Sequence, residues 1–327
     1  MKNGSACSEY KLFCGNACPE LAAEIAQKMG KRLGKSEVTT FSDGEISVNI
    51  YETVRGRDVF IIQSTCYPTN ENLMELLIMI DAMKRASAGR INAVVPYYGY
   101  GRQDRKAKAR DPITAKLVAD LITAAGADRV VTMDLHASQI QGYFNIPVDH
   151  LLGMPILMNY FKKKKLPDLV VVSPDHGSVT RARAMSIPLG APIAIVDKRR
   201  QKANESEVMN VIGEIEGKTC LLVDDMVDTA GSITHAANAI AELGAKEVYA
   251  CATHGILSGK ALSHIEKSSI REMVFLNTVP LSDAAKKVSR IKVLSVAGIF
   301  AEAMLNIHTD DSVSKIFEIA GNGKAGK

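Results

Sequence analysis

Short apolar runs rich in β-branched residues alternate with longer amphipathic stretches along most of this sequence. Such alternation predicts βα crossover units and a mainly parallel sheet flanked by helices, and therefore an α/β fold. Seven runs are predicted to be buried strands: residues 59–63, 91–96, 129–133, 169–173, 191–196, 219–223 and 247–251. The clearest helical patterns lie at residues 70–88, 112–125 and 231–243. Residues 37–41 and 45–50 flank a Ser-Asp-Gly turn and predict a hairpin beside the main sheet.

A weak internal repeat indicates two related domains in tandem. Residues 126–136 and 244–254 each comprise a helix-capping glycine, a strand and a histidine just past the strand end. Chance similarity is the alternative, because many helix–glycine–strand units look alike. With 327 residues, the chain is long enough for two domains. The predicted division is an N-terminal domain at residues 1–152, a C-terminal domain at 153–309, and a C-terminal helix with a disordered tail at 310–327.

Composition narrows the class of protein. Hydrophobic residues make up 46% of the chain and charged residues 23%, the balance of a soluble globular protein. No apolar run reaches the length needed to cross a bilayer and no signal peptide is visible, so we expect a cytoplasmic protein without a membrane partner. A net charge of only +4 and the absence of Trp argue against nucleic-acid binding. The six cysteines form no CxxC pair and are expected to be reduced thiols.

Residues 221–233 (LLVDDMVDTAGSI) carry the most informative pattern. A buried strand ends in two acids, and a loop of small residues then leads into a helix. Ligands of parallel sheets bind beyond the carboxyl ends of the strands, where this loop would offer backbone N–H groups and a helix N-terminus to an anion. The pattern predicts a phosphate cradle formed by Asp228, Thr229, Ala230, Gly231 and Ser232.

The two acids of this segment have a separate predicted role. Asp224 and Asp225 would repel a phosphate, but each carboxylate can accept hydrogen bonds from sugar hydroxyls. Sugar hydroxyls beside a phosphate cradle describe a sugar phosphate. The alternative is an ordinary capped helix, in which Asp228 or Thr229 serves only as the N-cap.

Two basic segments follow predicted strands at the same edge. Residues 97–111 (YYGYGRQDRKAKARD) contain five Lys or Arg residues, and residues 197–202 (DKRRQK) contain four. A charge run is usually a solvated loop. Beside a phosphate cradle, however, cations suit the anionic transition state of phosphoryl-type transfer.

Several segments resemble known families. Residues 221–233 look like the phosphoribosyl pyrophosphate loop of type I phosphoribosyltransferases and of ribose-phosphate pyrophosphokinases. Residues 132–147 (TMDLHASQIQGYFNIP) closely resemble the signature of the second family, and the resemblance extends from residue 12 to about residue 306. It implies two tandem phosphoribosyltransferase-like (type I) domains, and transfer of the pyrophosphoryl group of ATP to ribose 5-phosphate, with AMP as the second product, for nucleotide biosynthesis.

The resemblance also implies roles for individual residues. Lys198 and Arg200 would be the catalytic cations, with Arg200 also contacting ribose 5-phosphate. The implied ATP contacts are Asp43, Gly44, Glu45, Arg102, Gln103 and His136. The implied cofactor is Mg²⁺, with metal contacts at Asp134, His136 and Asp175. In the family the turn at residues 43–45 reaches the ATP site of a neighbouring subunit, which implies a homo-oligomer, commonly a hexamer.

Two other functions stay open. A phosphoribosyltransferase would share residues 221–233 but lack the 132–147 segment, and a non-catalytic regulatory homologue would be expected to lose Lys198, Arg200 or His136.

His176 and Ser178 stand where the family often has a small residue and glycine, and Asn145 stands where many members have aspartate. The histidines without a predicted role are His150, His235, His264 and His308, whereas His254 is predicted to be structural.

Overall fold

Two separate parallel sheets organise the protein in a computed structural model that describes residues 9–199 and 208–316, without the side chains of residues 198, 199, 208 and 209. The chain divides into two compact units, Met1–Leu152 with Ser295–Lys327, and Gly153–Leu294. None of the helices within the described ranges is long and apolar enough to cross a membrane.

The first unit contains a five-stranded sheet in the order β1-β4-β5-β6-β7, and all of its strands are parallel. Its elements are β1 (Tyr10–Cys14), α1 (Pro19–Lys28), β2 (Ser36–Thr40), β3 (Ile46–Ile50), β4 (Asp58–Ile62), α2 (Thr69–Arg85), β5 (Arg90–Val95), α3 (Thr114–Ala125), β6 (Arg129–Met133), a 3₁₀ helix (Ser138–Tyr143) and β7 (Val148–Leu151). The strand β4 is buried at every position, as expected for a parallel strand covered on both faces. The hairpin β2–β3 is antiparallel and forms a sheet of its own.

The second unit contains a seven-stranded sheet in the order β10-β9-β8-β11-β12-β13-β14. Only the edge strand β10 is antiparallel to its neighbour. The elements are α4 (Met154–Lys164), β8 (Leu169–Ser173), α5 (Val179–Leu189), β9 (Ile193–Arg199), β10 (Val208–Ile212), β11 (Thr219–Val227), α6 (Gly231–Glu242), β12 (Glu247–Gly255), α7 (Ala261–Lys267), β13 (Ile270–Leu276), α8 (Asp283–Lys286) and β14 (Ile291–Leu294). A last helix, α9 (Ala297–His308), belongs to the first unit.

The helix α9 belongs to a different unit from the one predicted. Residues 153–309 were expected to form one domain, but α9 packs against α1 and so completes the first unit. Its buried face includes Phe300, Met304 and Ile307. Periodicity shows that a helix has an apolar face without showing which element covers that face. Of the predicted C-terminal segment 310–327, residues 317–327 lie outside the described ranges.

All seven predicted strands are present, but three of them continue further than predicted. The strand β11 runs to Val227 rather than residue 223, β9 runs to Arg199 rather than 196, and β12 runs to Gly255 rather than 251. Neighbouring strands explain the extra length, because β11 and β12 remain paired up to Val227 and Gly255. His254 therefore lies inside β12, only 2% exposed, and its Nδ1 is 2.8 Å from Thr278 Oγ1.

Candidate active site

The phosphate loop, residues 228–232, connects β11 to α6. The N-cap of α6 is Ala230, in a left-handed conformation with φ of 61°, and its side chain makes no capping hydrogen bond. The N-cap residue is therefore neither Asp228 nor Thr229, the two residues named in the alternative of a simple capped helix. The first amides of a helix have no acceptor within the helix, so this end of α6 can offer N–H groups to an anion.

Gly231 keeps space open above this helix end. A Cβ added at Gly231 would meet only Thr229 Oγ1, at 3.8 Å, and the glycine does not have a positive φ. Neither backbone strain nor packing against the described residues therefore requires glycine here. A ligand that approaches the backbone closely is a sufficient reason for the missing side chain.

The acid pair lies within β11, beside the phosphate loop. Asp224 Oδ1 accepts hydrogen bonds from Ser178 Oγ at 2.8 Å and from the N–H of Asp225 at 2.9 Å. Arg181 Nη1 lies 3.3 Å from Asp224 and 3.5 Å from the Asp225 carboxylate. Burial and the adjacent charge of Asp225 raise the pKa of Asp224 to about 7, against the lowering effects of Ser178 and Arg181.

The phosphate loop is supported by the connection between β12 and α7. The Nδ1–H of His264 donates to the carbonyl oxygen of Thr229 at 2.9 Å, and Ser258 Oγ donates to the Asp228 carboxylate. No role was predicted for His264, because its 35-residue separation from Thr229 hides the contact. A ring nitrogen that donates to a loop carbonyl fixes the orientation of that peptide group.

The connection between β8 and α5 lies next to the acid pair, because β8 pairs with β11. Asp175 Oδ1 accepts from the N–H of Ser178 at 2.9 Å, and His176 Nε2 is 3.0 Å from Asp197 Oδ1. Asp197 belongs to β9, on the other side of β8. The second unit therefore brings Asp175 and the acid pair to one edge of its sheet.

Of the two predicted catalytic cations, Lys198 belongs to β9. The last residue pair between β8 and β9 is Ser173–Ile195, and Lys198 lies three residues further on, opposite Met209 of β10. Lys198 was predicted to lie in a loop, but its backbone is part of the strand, because the antiparallel pairing with β10 extends β9. Arg200 lies outside the described residues.

In the first unit, a cleft of about 490 Å³ adjoins two of the predicted ATP contacts, Arg102 and Gln103. Tyr67, Tyr97 and Tyr100 also line it, and Tyr67 is 86% exposed. None of these tyrosines was predicted to take part in a site. Flat aromatic faces beside a guanidinium suit a planar, anionic ligand such as a nucleotide.

Asp134 and His136 follow β6 in the same unit. Asp134 has a φ of 39°, a backbone conformation that residues other than glycine rarely adopt. The N–H of Leu135 donates to His150 Nε2 at 2.9 Å, and burial lowers the pKa of His150, which favours the neutral ring that accepts this bond. His150, for which no role was predicted, thus holds the turn that carries Asp134.

The turn at residues 43–45 lies at the tip of the β2–β3 hairpin. Gly44 has a φ of 96°, and the N–H of Glu45 donates to Asp43 Oδ1 at 3.1 Å. All three residues are exposed. The hairpin therefore presents an acidic turn to the surroundings of the first unit.

The predicted metal contacts are divided between the units. Asp134 and His136 belong to the first unit and Asp175 to the second. Within the described ranges, no group of three or more His, Cys, Asp or Glu side chains is placed to hold a metal ion. Carboxylates near strand ends nevertheless suit Mg²⁺, which takes oxygen ligands and is commonly bound by one or two carboxylates together with substrate phosphates and water. His136 is the least suitable member, because Mg²⁺ prefers oxygen.

Comparison with known proteins identifies the family. Residues 10–126 match the family model for the N-terminal domain of ribose phosphate pyrophosphokinase, and residues 178–318 match that for the phosphoribosyl synthetase-associated domain. A ribose-phosphate pyrophosphokinase from Clostridium perfringens is 67% identical over 321 residues, which cover 97% of this chain and 100% of that protein. This chain is a ribose-phosphate pyrophosphokinase family member.

Two further relatives agree with this family. The ribose-phosphate pyrophosphokinase of Caldanaerobacter subterraneus subsp. tengcongensis is 67% identical over 95% of this chain and 98% of that protein. The crystal structure of phosphoribosylpyrophosphate synthetase from Mycobacterium smegmatis superimposes with a TM-score of 0.88 at 43% identity, covering 92% of this chain and 99% of that one. The predicted fold class, two tandem phosphoribosyltransferase-like α/β domains, is confirmed, and so is the predicted enzyme family.

Several residues that support the predicted site of this ribose-phosphate pyrophosphokinase family member were not predicted from its sequence. The structure places Ser178 and Arg181 on Asp224, and His264 on the phosphate loop. In the sequence, Ser178 was only a departure from glycine, and His264 was a histidine without a predicted role. The role of each predicted site residue remains a prediction.

Proposed function

We propose that the protein transfers the pyrophosphoryl group of ATP to the anomeric hydroxyl of ribose 5-phosphate, giving phosphoribosyl pyrophosphate and AMP for nucleotide biosynthesis. The observation that carries the proposal is the open phosphate loop beside the acid pair of β11, in a chain 67% identical to a ribose-phosphate pyrophosphokinase over nearly its whole length. The loop suits a phosphate monoester, and the acids suit sugar hydroxyls.

The second unit would bind the sugar phosphate. Residues 228–232 hold the 5-phosphate, while Asp224 and Asp225 accept hydrogen bonds from the ribose hydroxyls. The anomeric oxygen then attacks the β-phosphorus of ATP, the bond from that phosphorus to the α,β-bridging oxygen breaks, and AMP leaves with that oxygen. Lys198 and Arg200 neutralise the charge that develops on the transferring phosphates. The proton of the anomeric hydroxyl passes to water.

The first unit would bind ATP. Arg102 and Gln103 border the cleft, whose tyrosines can contact a purine ring. His136, at the strand end next along the sheet, is proposed to contact the phosphates. Asp43, Gly44 and Glu45 would reach the ATP site of a neighbouring subunit, and Glu45 suits the adenine amino group as an acceptor.

Mg²⁺ is the proposed cofactor. Asp134, Asp175 and His136 are its proposed contacts, with the remaining ligands from substrate phosphates and water. When bound, the ion would offset the negative charge of the ATP phosphates. The structure offers carboxylates at strand ends in both units, and a donor set this small fits an ion that retains several waters.

Assembly and location follow from the proposed reaction and the family pattern. We propose a homo-oligomer, commonly a hexamer in this family, because the exposed acidic turn of the hairpin would complete a neighbour's ATP site. We also propose a cytoplasmic location, because both ATP and sugar phosphates are cytoplasmic metabolites.

A product assay tests the proposed reaction. Purified protein given ribose 5-phosphate, ATP and Mg²⁺ is expected to form AMP and a pyrophosphorylated sugar in equal amounts. Separation of the nucleotides measures the outcome directly. Formation of ADP in place of AMP would show an ordinary kinase and refute the proposal.

The Gly231→Ala variant tests the phosphate loop. We expect ribose 5-phosphate to bind about tenfold more weakly, a loss of ~1.4 kcal/mol, because the new methyl group occupies the space left for the phosphate. The midpoint of thermal unfolding should not fall, since beyond its chain neighbours and the backbone of its own helix that methyl group meets no described atom closer than 3.8 Å. Gly298→Ala in α9, with no described heavy atom near its added Cβ, is the matched control and should bind normally. Unchanged affinity in Gly231→Ala would remove the loop from its role.

A further inference from the structure

Ser178 connects two acidic residues of the candidate active site. Its hydroxyl donates to Asp224 Oδ1 at 2.8 Å, and its backbone N–H donates to Asp175 Oδ1 at 2.9 Å. Ser178 is only 4% exposed, so water competes little for either bond. Any residue except proline would supply the N–H, whereas the hydroxyl comes from serine and is absent from the glycine often found here in the family.

The hydroxyl does not have the usual role of a serine at a helix start. Ser178 is the N-cap of α5, where a serine side chain normally accepts a hydrogen bond from an amide of the first turn. Here the side chain makes no capping hydrogen bond. It instead donates across to β11, which lies beside β8 in the sheet. Helix capping therefore does not explain the residue.

The contact fixes the orientation of one carboxylate. Asp224 Oδ1 receives three donors, namely Ser178 Oγ, the N–H of Asp225 and, at 3.3 Å, Arg181 Nη1. These three donors all end on Oδ1, and Oδ2 is the oxygen that would accept from a ligand. Three donors on one oxygen restrain rotation of the carboxylate, and a preoriented acceptor binds a ligand more tightly than a mobile one.

We propose that Ser178 is a positioning residue that holds the Asp224 carboxylate in the orientation that accepts a ribose hydroxyl, and so contributes to selection of ribose over deoxyribose phosphates. The inference rests on the proposed function, because it assumes that Asp224 binds the sugar. Ser178 itself does not touch the substrate in this account. Its effect should appear in affinity for the sugar phosphate and in the discrimination between sugars, and not in affinity for ATP.

The test compares Ser178→Gly with the unaltered protein by calorimetric titration with ribose 5-phosphate and with its 2-deoxy and 3-deoxy analogues. Loss of the hydrogen bond should weaken binding of ribose 5-phosphate about fivefold to tenfold. The preference for ribose 5-phosphate over at least one deoxy analogue should fall by a similar factor. In the variant, the ribose hydroxyl that this analogue lacks no longer meets a fixed acceptor. KM for ATP should change less than about twofold. Ser178→Ala should reproduce these changes.

Ser186→Ala is the matched control. Ser186 lies on the same helix, is also buried, and its hydroxyl donates to the carbonyl oxygen of Arg183 instead of to a carboxylate. It should leave the preference between the sugars unchanged. A lower unfolding midpoint in both Ser178 variants, with unaltered preference, would assign Ser178 a structural role and overturn the inference. If the unaltered protein itself fails to bind ribose 5-phosphate, the proposed function is refuted and this inference with it.

Discussion

Replacing Lys198 with alanine is expected to lower kcat by about a hundredfold to a thousandfold, while the affinity for ribose 5-phosphate changes by less than about threefold. The expectation follows from the anionic transition state of pyrophosphoryl transfer, in which a fixed cation stabilises charge that the bound substrates have not yet developed. Stabilisation that acts only in the transition state appears in kcat and not in binding.

The position of Lys198 supports this expectation. Its backbone lies in the part of β9 that continues beyond the last pair with β8, and β8 leads directly to Asp175. Pairing with Met209 of the edge strand β10 holds the Lys198 backbone in the sheet. A strand fixes the backbone of a residue more firmly than an open loop does, and electrostatic stabilisation requires such a rigid support.

Single-turnover and steady-state assays of Lys198→Ala measure the effect, with calorimetry for the binding of ribose 5-phosphate. Arg199→Ala is the control, because it removes an adjacent cation that has no predicted role. An equal loss in both variants would indicate a general effect of net charge. Full turnover in Lys198→Ala would exclude this lysine from the reaction.

The largest expected loss of stability follows replacement of Asp58 with alanine. Asp58 is fully buried at the start of β4 and accepts hydrogen bonds from Arg90 Nε at 3.0 Å and from Asn92 Nδ2 at 2.6 Å. His308 Nδ1, from α9, is 2.9 Å from its other oxygen. Removal of the Asp58 carboxylate takes the acceptor from Asn92 and His308 and leaves Arg90 only its contacts with Asp310 and the Ile307 carbonyl, at an expected cost of about 3 kcal/mol.

The unfolding midpoint of Asp58→Ala should therefore fall by roughly 10 °C, as measured by calorimetry. Asp81→Ala is the matched control. Asp81 pairs with Arg85 on the surface of α2, with Arg85 exposed and Asp81 about half-exposed, and such pairs contribute about 0.5 kcal/mol or less. Equal midpoints for the two variants would contradict the assigned importance of the buried pair.

The order of the elements was predictable because the apolar runs are short and the helical patterns long. The C-terminal ends of β9 and β11 were not predictable, because the Asp and Lys residues there disfavour strands. These residues remain in the strands because they pair with β10 and β12. The phosphate loop could be predicted from its own residues, since all of its features are consecutive in the chain. The hydrogen bond between Ser178 and Asp224 could not, because it depends on the pairing of β8 with β11.

The return of α9 to the first unit has a consequence for synthesis of the protein. Residues 153–294, which form the second unit, emerge from the ribosome between the two parts of the first. At ordinary elongation rates of ~5–20 residues per second, the N-terminal part waits on the order of ten seconds or more for its last helix. During that interval His308 has not yet met Asp58, and α1 lacks its cover. The unit whose synthesis begins first is therefore completed last. A ribosome that stops before residue 295 releases a chain whose first unit lacks α9.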